Sequence, residues 1–201
     1  RYSHMAFDDP IVWPGQPGKS HLHTFFGNTA VNASTTAANI TTSGNSTCVG
    51  GTIDRSGYWI ASMIDTTNGT PLAPFDSIFY YKLGYMSVKP AQVQNYPAGL
   101  RIIAGDAKLS GPQPDPYTLI YRWHCYNNDG SRTQYGFTIP NCTQGGALGL
   151  EMVFPQCWDG VNLDSPDHKS HMAYGNHAFN GCPSSHPVAL PELSLGIFWN
   201  I

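Results

Sequence analysis

Glycine and proline occur along the whole length of this chain, and they limit the length of the secondary-structure elements that it can form. The 201 residues include 21 glycines and 16 prolines, spread from one end of the sequence to the other. Both residues are unfavourable in the interior of a helix. The pattern therefore predicts short elements joined by turns, with little room for long helices.

Between the turns lie segments with the composition of strands. They are rich in tyrosine, isoleucine, phenylalanine, valine and tryptophan, which suit a pleated, half-buried surface. The predicted strands are 58–65, 77–85, 100–106, 117–126, 148–158 and 193–201. The best helix candidate, 89–97, lies among prolines, and no repeat or linker is visible. We therefore predict a mainly β fold over residues 1–201, a single-domain β-sandwich of jelly-roll-like type with long irregular loops.

The chain is poor in charge, and this limits its partners. Charged residues make up 11% of the sequence and the formal net charge is -3. A nucleic-acid-binding protein needs a concentrated basic patch, which this sequence lacks. No apolar stretch reaches the length of a membrane span. A surface of neutral polar residues is common in secreted proteins that handle neutral polymers, so we expect a secreted, extracellular monomer.

The five cysteines also favour an extracellular protein. No two of them form a C-x-x-C pair, which disfavours a structural zinc knuckle. Proximity predicts the disulfides Cys125–Cys142 and Cys157–Cys182. Cys48 is then left either free or paired with a cysteine upstream of Arg1. Disulfides are typical of proteins outside the cell.

Two segments concentrate the histidines. Residues 20–28, SHLHTFFGN, contain two of the eight, and residues 163–177, LDSPDHKSHMAYGNH, contain three. Each lies in a long stretch with little periodicity, the first 50 residues and residues 157–187. Long irregular stretches with aromatic and titratable side chains are typical of functional loops. We expect the two segments to meet and form one site.

In the first segment, His21 and His23 would point to the same face of a strand. Such a pair often supplies two ligands of a metal site, because neutral imidazoles are good ligands. The alternative interpretation is two histidines that bond to nearby backbone.

In the second segment, Asp167 directly precedes His168 and is predicted to orient its imidazole. His168 and His171 would be neighbours on a helical turn that begins at Pro166 and is capped by Ser165. The alternative interpretation is a capped turn with histidines on its surface.

Two chemistries fit these groups. The first is metal-free acid–base catalysis by an Asp-oriented histidine, and glycoside hydrolysis commonly uses two carboxylates as well. The second is a copper or zinc ion, with its predicted ligands being His21, His23, His168 and His171. For the first chemistry, the predicted catalytic residues are His23, Asp164, Asp167 and His168. The predicted substrate-binding residues are Trp13, His21, Trp158, Lys169, His171 and Tyr174.

Other carboxylates and histidines are weaker candidates for the functional site. Further carboxylates available for hydrolysis are Asp8, Asp9, Glu151 and Asp159. His124, in an aromatic strand, is interpreted as structural, and His186 as part of a turn. Among the aromatic residues, those in irregular segments are the better candidates to stack on a sugar ring.

Two long stretches resemble a known family. They are DDPIVWPGQPGKSHLHTFFGN and VFPQCWDGVNLDSPDHKSHMAY, the latter followed by CPSSHPVALPEL. The chain resembles, over nearly all its length, a family of secreted proteins of fungi and actinobacteria classed as a domain of unknown function. Some relatives are fused to carbohydrate-binding or cell-wall modules, which implies extracellular glycans. Relatives often have a cysteine just before the residues that match Tyr2, which implies a lost partner for Cys48.

The leading hypothesis is a secreted enzyme that acts on an extracellular polysaccharide, most simply a hydrolase. His23 and His168 would move protons, Asp167 would orient His168, and Asp164 would act as general acid or base. The alternatives are a histidine-ligated copper or zinc protein, oxidative or binding, and a non-catalytic glycan-binding module.

Overall fold

The computed structural model describes residues 1–85, 88–111, 120–175 and 181–201. This part of the chain is mainly β, as predicted, with one short α-helix, α1 (Ala37–Ile40), and two single 3-10 turns, Gly51–Ile53 and Pro90–Gln92. The strands are β1 (Tyr2–Ala6), β2 (His23–Gly27), β3 (Gly57–Ala61), β4 (Ile64–Asp65), β5 (Thr70–Pro71), β6 (Asp76–Lys82), β7 (Tyr121–Tyr126), β8 (Ala147–Val153), β9 (Cys157–Trp158), β10 (Met172–Ala173), β11 (Val188–Ala189) and β12 (Glu192–Asn200).

The chain divides into two compact units, residues 1–77 and 78–201. The registered strand pairs in both are antiparallel, as sandwiches require. The single domain and the jelly-roll-like order of layers stay predictions. Among the described residues, no helix has the length and apolar character needed to cross a membrane.

The first unit is built around β2. Its three-stranded sheet has the order β1-β2-β3, and every residue of β2 is buried. Phe25 packs between His4, stacked on it at 4.8 Å between ring centroids, and Trp59 at 5.7 Å. The sequence predicted irregular structure here. That expectation is wrong because a strand covered on both faces shows no polar alternation.

The Gly-Asn pair that ends the first histidine-rich segment is structural. Gly27 has φ of +75°, and a Cβ at this position would lie 2.2 Å from the carbonyl oxygen of Ser56. The Nδ2 of the buried Asn28 donates at 2.8, 3.1 and 3.2 Å to the carbonyl oxygens of Ile40, Ser43 and Arg55. One amide therefore ties together the loops that follow β2.

The second unit contains the four-stranded sheet β6-β12-β8-β7. One face of its inner strands is the core, with Leu148, Leu150, Leu195, Ile197 and Trp199 buried. Along β8, which overlaps the predicted strand 148–158, Leu148 and Leu150 are buried. Met152 is only half-buried, and Phe154 lies beyond the end of the strand.

A small sheet, β10-β9-β11, frames the second histidine-rich segment. Met172 pairs with Trp158, so residues 159–171 form a loop with its ends held together. The predicted disulfides Cys125–Cys142 and Cys157–Cys182 are both present. Cys48 is free in the described part of the chain. Burial raises the pKa of its thiol, partly opposed by a hydrogen bond with Ser46.

Two expected elements differ from the structure. Residues 100–106 form no strand, because their backbone bonds to a loop: the Arg101 N–H donates to the carbonyl of Leu163 at 3.0 Å. The helix expected over 89–97 is reduced to the 3-10 turn Pro90–Gln92, since prolines interrupt it. Residues 117–119 of one predicted strand lie outside the described residues.

Candidate functional site

His23 begins β2 with its imidazole buried. Its Nδ1 lies 2.8 Å from the backbone carbonyl oxygen of Asp8 and 3.3 Å from the hydroxyl of Ser20. A carbonyl oxygen only accepts, so Nδ1 holds the proton and Nε2 keeps its lone pair. Burial lowers the pKa of His23, opposed by the bond to Asp8. Burial therefore favours the neutral imidazole, with the proton on Nδ1.

His21 lies just outside the strand, which begins at His23. Its ring is exposed and lies 4.3 Å from the ring of His23 between centroids. The two imidazoles are thus neighbours, although not by the strand geometry that the sequence predicted.

The carboxylates of Asp8 and Asp9, near the start of the chain, accept hydrogen bonds from backbone N–H groups. The buried Asp9 accepts the N–H groups of Ile11 and Val12 at 2.9 Å each. Asp8 bridges two loops through the N–H groups of Gly18 and Ala33. Neither carboxylate is placed as a free acid or base. Trp13, a predicted sugar-stacking residue, is 37% exposed, with the ammonium of Lys19 5.6 Å from its ring centroid.

In the loop 159–171, Asp164 and His168 form a hydrogen-bonded pair. Asp164 Oδ1 lies 2.9 Å from His168 Nδ1, and its Oδ2 accepts from Arg101 at 3.0 Å. Burial alone would raise the pKa of Asp164, but the bonds from His168 and Arg101 outweigh it and lower the pKa. An ionised carboxylate therefore fixes the Nδ1–H tautomer of His168. About a quarter of each side chain is exposed, and the described residues provide no hydrogen-bond partner for His168 Nε2.

His168 adopts a backbone conformation that few residues other than glycine take. Its φ is +58°, the only positive value at a non-glycine position in the described chain. Histidine tolerates this region better than most side chains, but at a cost. The loop thus holds this imidazole in place against the backbone preference.

The prediction that Asp167 orients His168 is wrong. Asp167 Oδ1 instead accepts from the N–H groups of Lys169 and Ser170 and from the hydroxyls of Ser165 and Ser170. These bonds hold the pKa of its carboxyl well below its usual range, the Ser170 N–H contributing most. Adjacency in sequence was misleading here, because the His168 ring bonds Asp164, four residues earlier.

His171 is a structural residue of the same loop. It is buried, its Nδ1 lies 2.9 Å from the Ser165 hydroxyl, and its Nε2 lies 2.6 Å from the carbonyl oxygen of Arg101. Both ring nitrogens are in use, so a role in binding substrate or metal would require breaking these bonds. His186 similarly bonds the carbonyl of Ser170 through Nε2 at 3.0 Å.

The aromatic residues predicted to bind substrate also have structural partners. The indole N–H of Trp158 donates to the carbonyl of Asn162 at 2.6 Å. The Tyr174 hydroxyl donates to the carbonyl of Val153 at 2.9 Å, and burial raises its pKa. Lys169 reaches Asp106 at 3.6 Å on the surface. Their roles toward a substrate stay predictions.

Arg101 is the residue that the sequence did not reveal. Its side chain anchors Asp164, and its backbone groups bond Leu163 and His171. It lies 63 residues before Asp164, and no local pattern marks it.

No group of three or more His, Cys, Asp or Glu side chains that could hold a metal ion occurs in the described residues. His177 lies outside them. His23 belongs to the first unit and His168 to the second, so a single site formed by both segments stays a prediction.

Comparison with known proteins gives one match. The model of a family described as a domain of unknown function, DUF1996, matches residues 9–201. No curated protein and no solved structure matches the chain.

Proposed function

The chain belongs to the DUF1996 family, and from its chemistry we propose that it is a secreted enzyme that hydrolyses an extracellular polysaccharide. The observation that carries the proposal is the Asp164–His168 pair, in which the imidazole has a fixed tautomer, a partly exposed side chain and a supporting arginine. This is the arrangement of a general base oriented by a carboxylate. The two disulfides fit an extracellular location.

In the proposed reaction, His168 Nε2 takes a proton from the water that attacks the anomeric carbon. The glycosidic bond breaks, and the imidazolium returns this proton to the departing sugar oxygen. Asp164 stabilises the imidazolium that forms, and Arg101 holds Asp164 in place. The sequence predicted Asp164 as general acid or base. Because its two oxygens bond His168 and Arg101 and its pKa is lowered, we assign it the orienting role instead. Asp167 supports the loop, and His23 remains a predicted catalytic residue of the first unit.

The test is release of reducing ends from a panel of extracellular polysaccharides, with His168→Asn as the variant. Asparagine also tolerates positive φ, so this change removes the imidazole and keeps the backbone conformation. His186→Asn is the matched control, because it removes an imidazole from a nearby loop. We expect turnover to fall at least about 100-fold in His168→Asn and to stay near wild type in the control. Unchanged turnover in His168→Asn would contradict the proposal.

A glycan-binding module is the second candidate function. The observation in its favour is that His171, Asp167 and Trp158 all bond their own loop. Glycan binding on the same panel without any product would support this candidate over the enzyme.

A further inference from the structure

The second unit has a groove on the face of its four-stranded sheet opposite the core. Arg122, His124 and Tyr126 of β7 share this face with Gly149 and Glu151 of β8, since Arg122 pairs with Glu151 and His124 with Gly149. The groove has a volume of about 320 Å³ and extends to Tyr80 and Lys82 of β6. None of the residues assigned to the proposed hydrolase site lines it.

The groove is positively charged. Three cationic side chains line it, Lys82, Arg122 and Arg132, with Glu151 as the one lining carboxylate. Glu151 is already occupied: Oε2 accepts from Arg122 Nε at 2.8 Å, and Oε1 accepts from the Tyr135 hydroxyl at 3.0 Å. Lys82 pairs with Glu192 at 2.9 Å. The excess positive charge therefore falls on Arg132.

Arg132 is placed to receive an anion. Its side chain is 40% exposed, and its nearest approach to Glu151 is 3.7 Å, which is beyond hydrogen-bond distance. Its guanidinium lies 4.5 Å from the ring centroid of Tyr126 and donates to the hydroxyls of Tyr126 and Tyr135. A carboxylate would replace these neutral acceptors with charge-assisted bonds, which are roughly twice as strong.

The imidazole of His124 lies beside Tyr126 and Tyr135. His124 is fully buried, and neither of its ring nitrogens has a hydrogen-bond partner among the described residues. Its ring lies 4.8 Å from Tyr126 and 5.0 Å from Tyr135 between centroids. Gly149 makes room for it, because a Cβ there would lie 2.6 Å from the imidazole. A buried polar group without a partner lowers stability unless a ligand or water completes its hydrogen bonding.

We propose that this groove binds a carboxylate-bearing sugar of an acidic oligosaccharide, with Arg132 on the carboxylate and the Tyr126 ring against the sugar. Tyr126 lines the groove beside Arg132, and the positive charge selects uronate over neutral sugars. The site goes beyond the proposed hydrolase and does not depend on it.

The test is calorimetric titration with tetragalacturonate and with a neutral galactotetraose, using protein that carries His168→Asn so that no turnover can interfere. The variant is Arg132→Gln. Its control is Lys108→Gln, which removes an exposed cation of the same unit outside the groove. We expect saturable binding of tetragalacturonate only, weakened about tenfold in Arg132→Gln and unchanged in the control. The NMR signals of the Tyr126 and His124 rings should shift on binding.

Three results would overturn the proposal. They are absence of saturable binding, equal binding of the neutral sugar, and equal loss in both variants, which would indicate unspecific charge attraction. Circular dichroism of each variant establishes that it is folded.

Discussion

The polar side chains of the two histidine-rich segments have two different roles, and Asn28 and Asp167 illustrate the first. Asn28 and Asp167 bond backbone groups. His23 and His168 are instead fixed by a bond at Nδ1, and the described residues provide no hydrogen-bond partner for their Nε2. From residue type alone these roles look alike. The chemistry of a residue here depends on which atoms its backbone neighbours already use.

Asn28→Ala is expected to destabilise the first unit by about 3 kcal/mol, because it removes a buried amide that donates to the carbonyl oxygens of three loop residues. Asn32→Ala is the control, since Asn32 is exposed and bonds only within its own turn. The free energies of unfolding from urea titrations measure the difference. Equal effects of the two changes would contradict the role of Asn28 as the tie between loops.

Gly27→Ala is expected to destabilise far more than Gly18→Ala. Both glycines have positive φ, +75° and +74°, so backbone strain is common to the two. Only at Gly27 would the new Cβ meet a backbone atom, 2.2 Å away, whereas Gly18 has nothing within 4 Å. Strain alone costs about 1–2 kcal/mol, and Gly27→Ala should exceed that in the same urea titrations.

At the scale of elements, the sequence predicts those with a periodic pattern and misses those without one. β6, β7, β8 and β12 lie where their aromatic and branched residues indicate. β2 was missed because all its residues are buried. The loop 159–171 was identified by its side chains, but its internal partners were not, because they depend on the positive φ of His168 and on the distant Arg101.

The loop should be sensitive to acid through Asp167. Its folded pKa lies below the ordinary value of 3.8, owing to the N–H and hydroxyl donors around it. The unfolded chain therefore binds the proton first. The carboxylate contributes stability that is fully present above about pH 5 and is lost as the pH falls through the folded pKa.

Asp167→Asn should accordingly lower stability at neutral pH, and its difference from wild type should shrink toward pH 2. Asp76→Asn is the control, because among the described residues Asp76 Oδ1 accepts only from the adjacent Ser77 N–H. Thermal melts of the three proteins across this range measure the effect. A difference that is independent of pH would show that the charge of Asp167 does not stabilise the loop.

At the scale of the whole molecule, composition predicted the class and the cross-links. Turn residues along the whole chain and a small number of charged residues were enough to predict a mainly β protein with disulfides. The spacing of the cysteines predicted the two disulfide pairs. The division at residue 77 was not predicted. It depends on which strands contact one another, and a single sequence carries no such information.

Both disulfides lie in residues 78–201, and this gives a test of how the molecule unfolds. Their loops span 17 and 25 residues, so replacing either cysteine pair by serine should cost about 3 kcal/mol. Cys48→Ser is the control, because Cys48 forms no disulfide in the described chain. Hydrogen exchange, read separately in residues 1–77 and 78–201, locates the loss. If the one-domain prediction holds, protection in residues 1–77 falls in parallel with that in 78–201. Loss confined to 78–201 would instead make the two units separate domains.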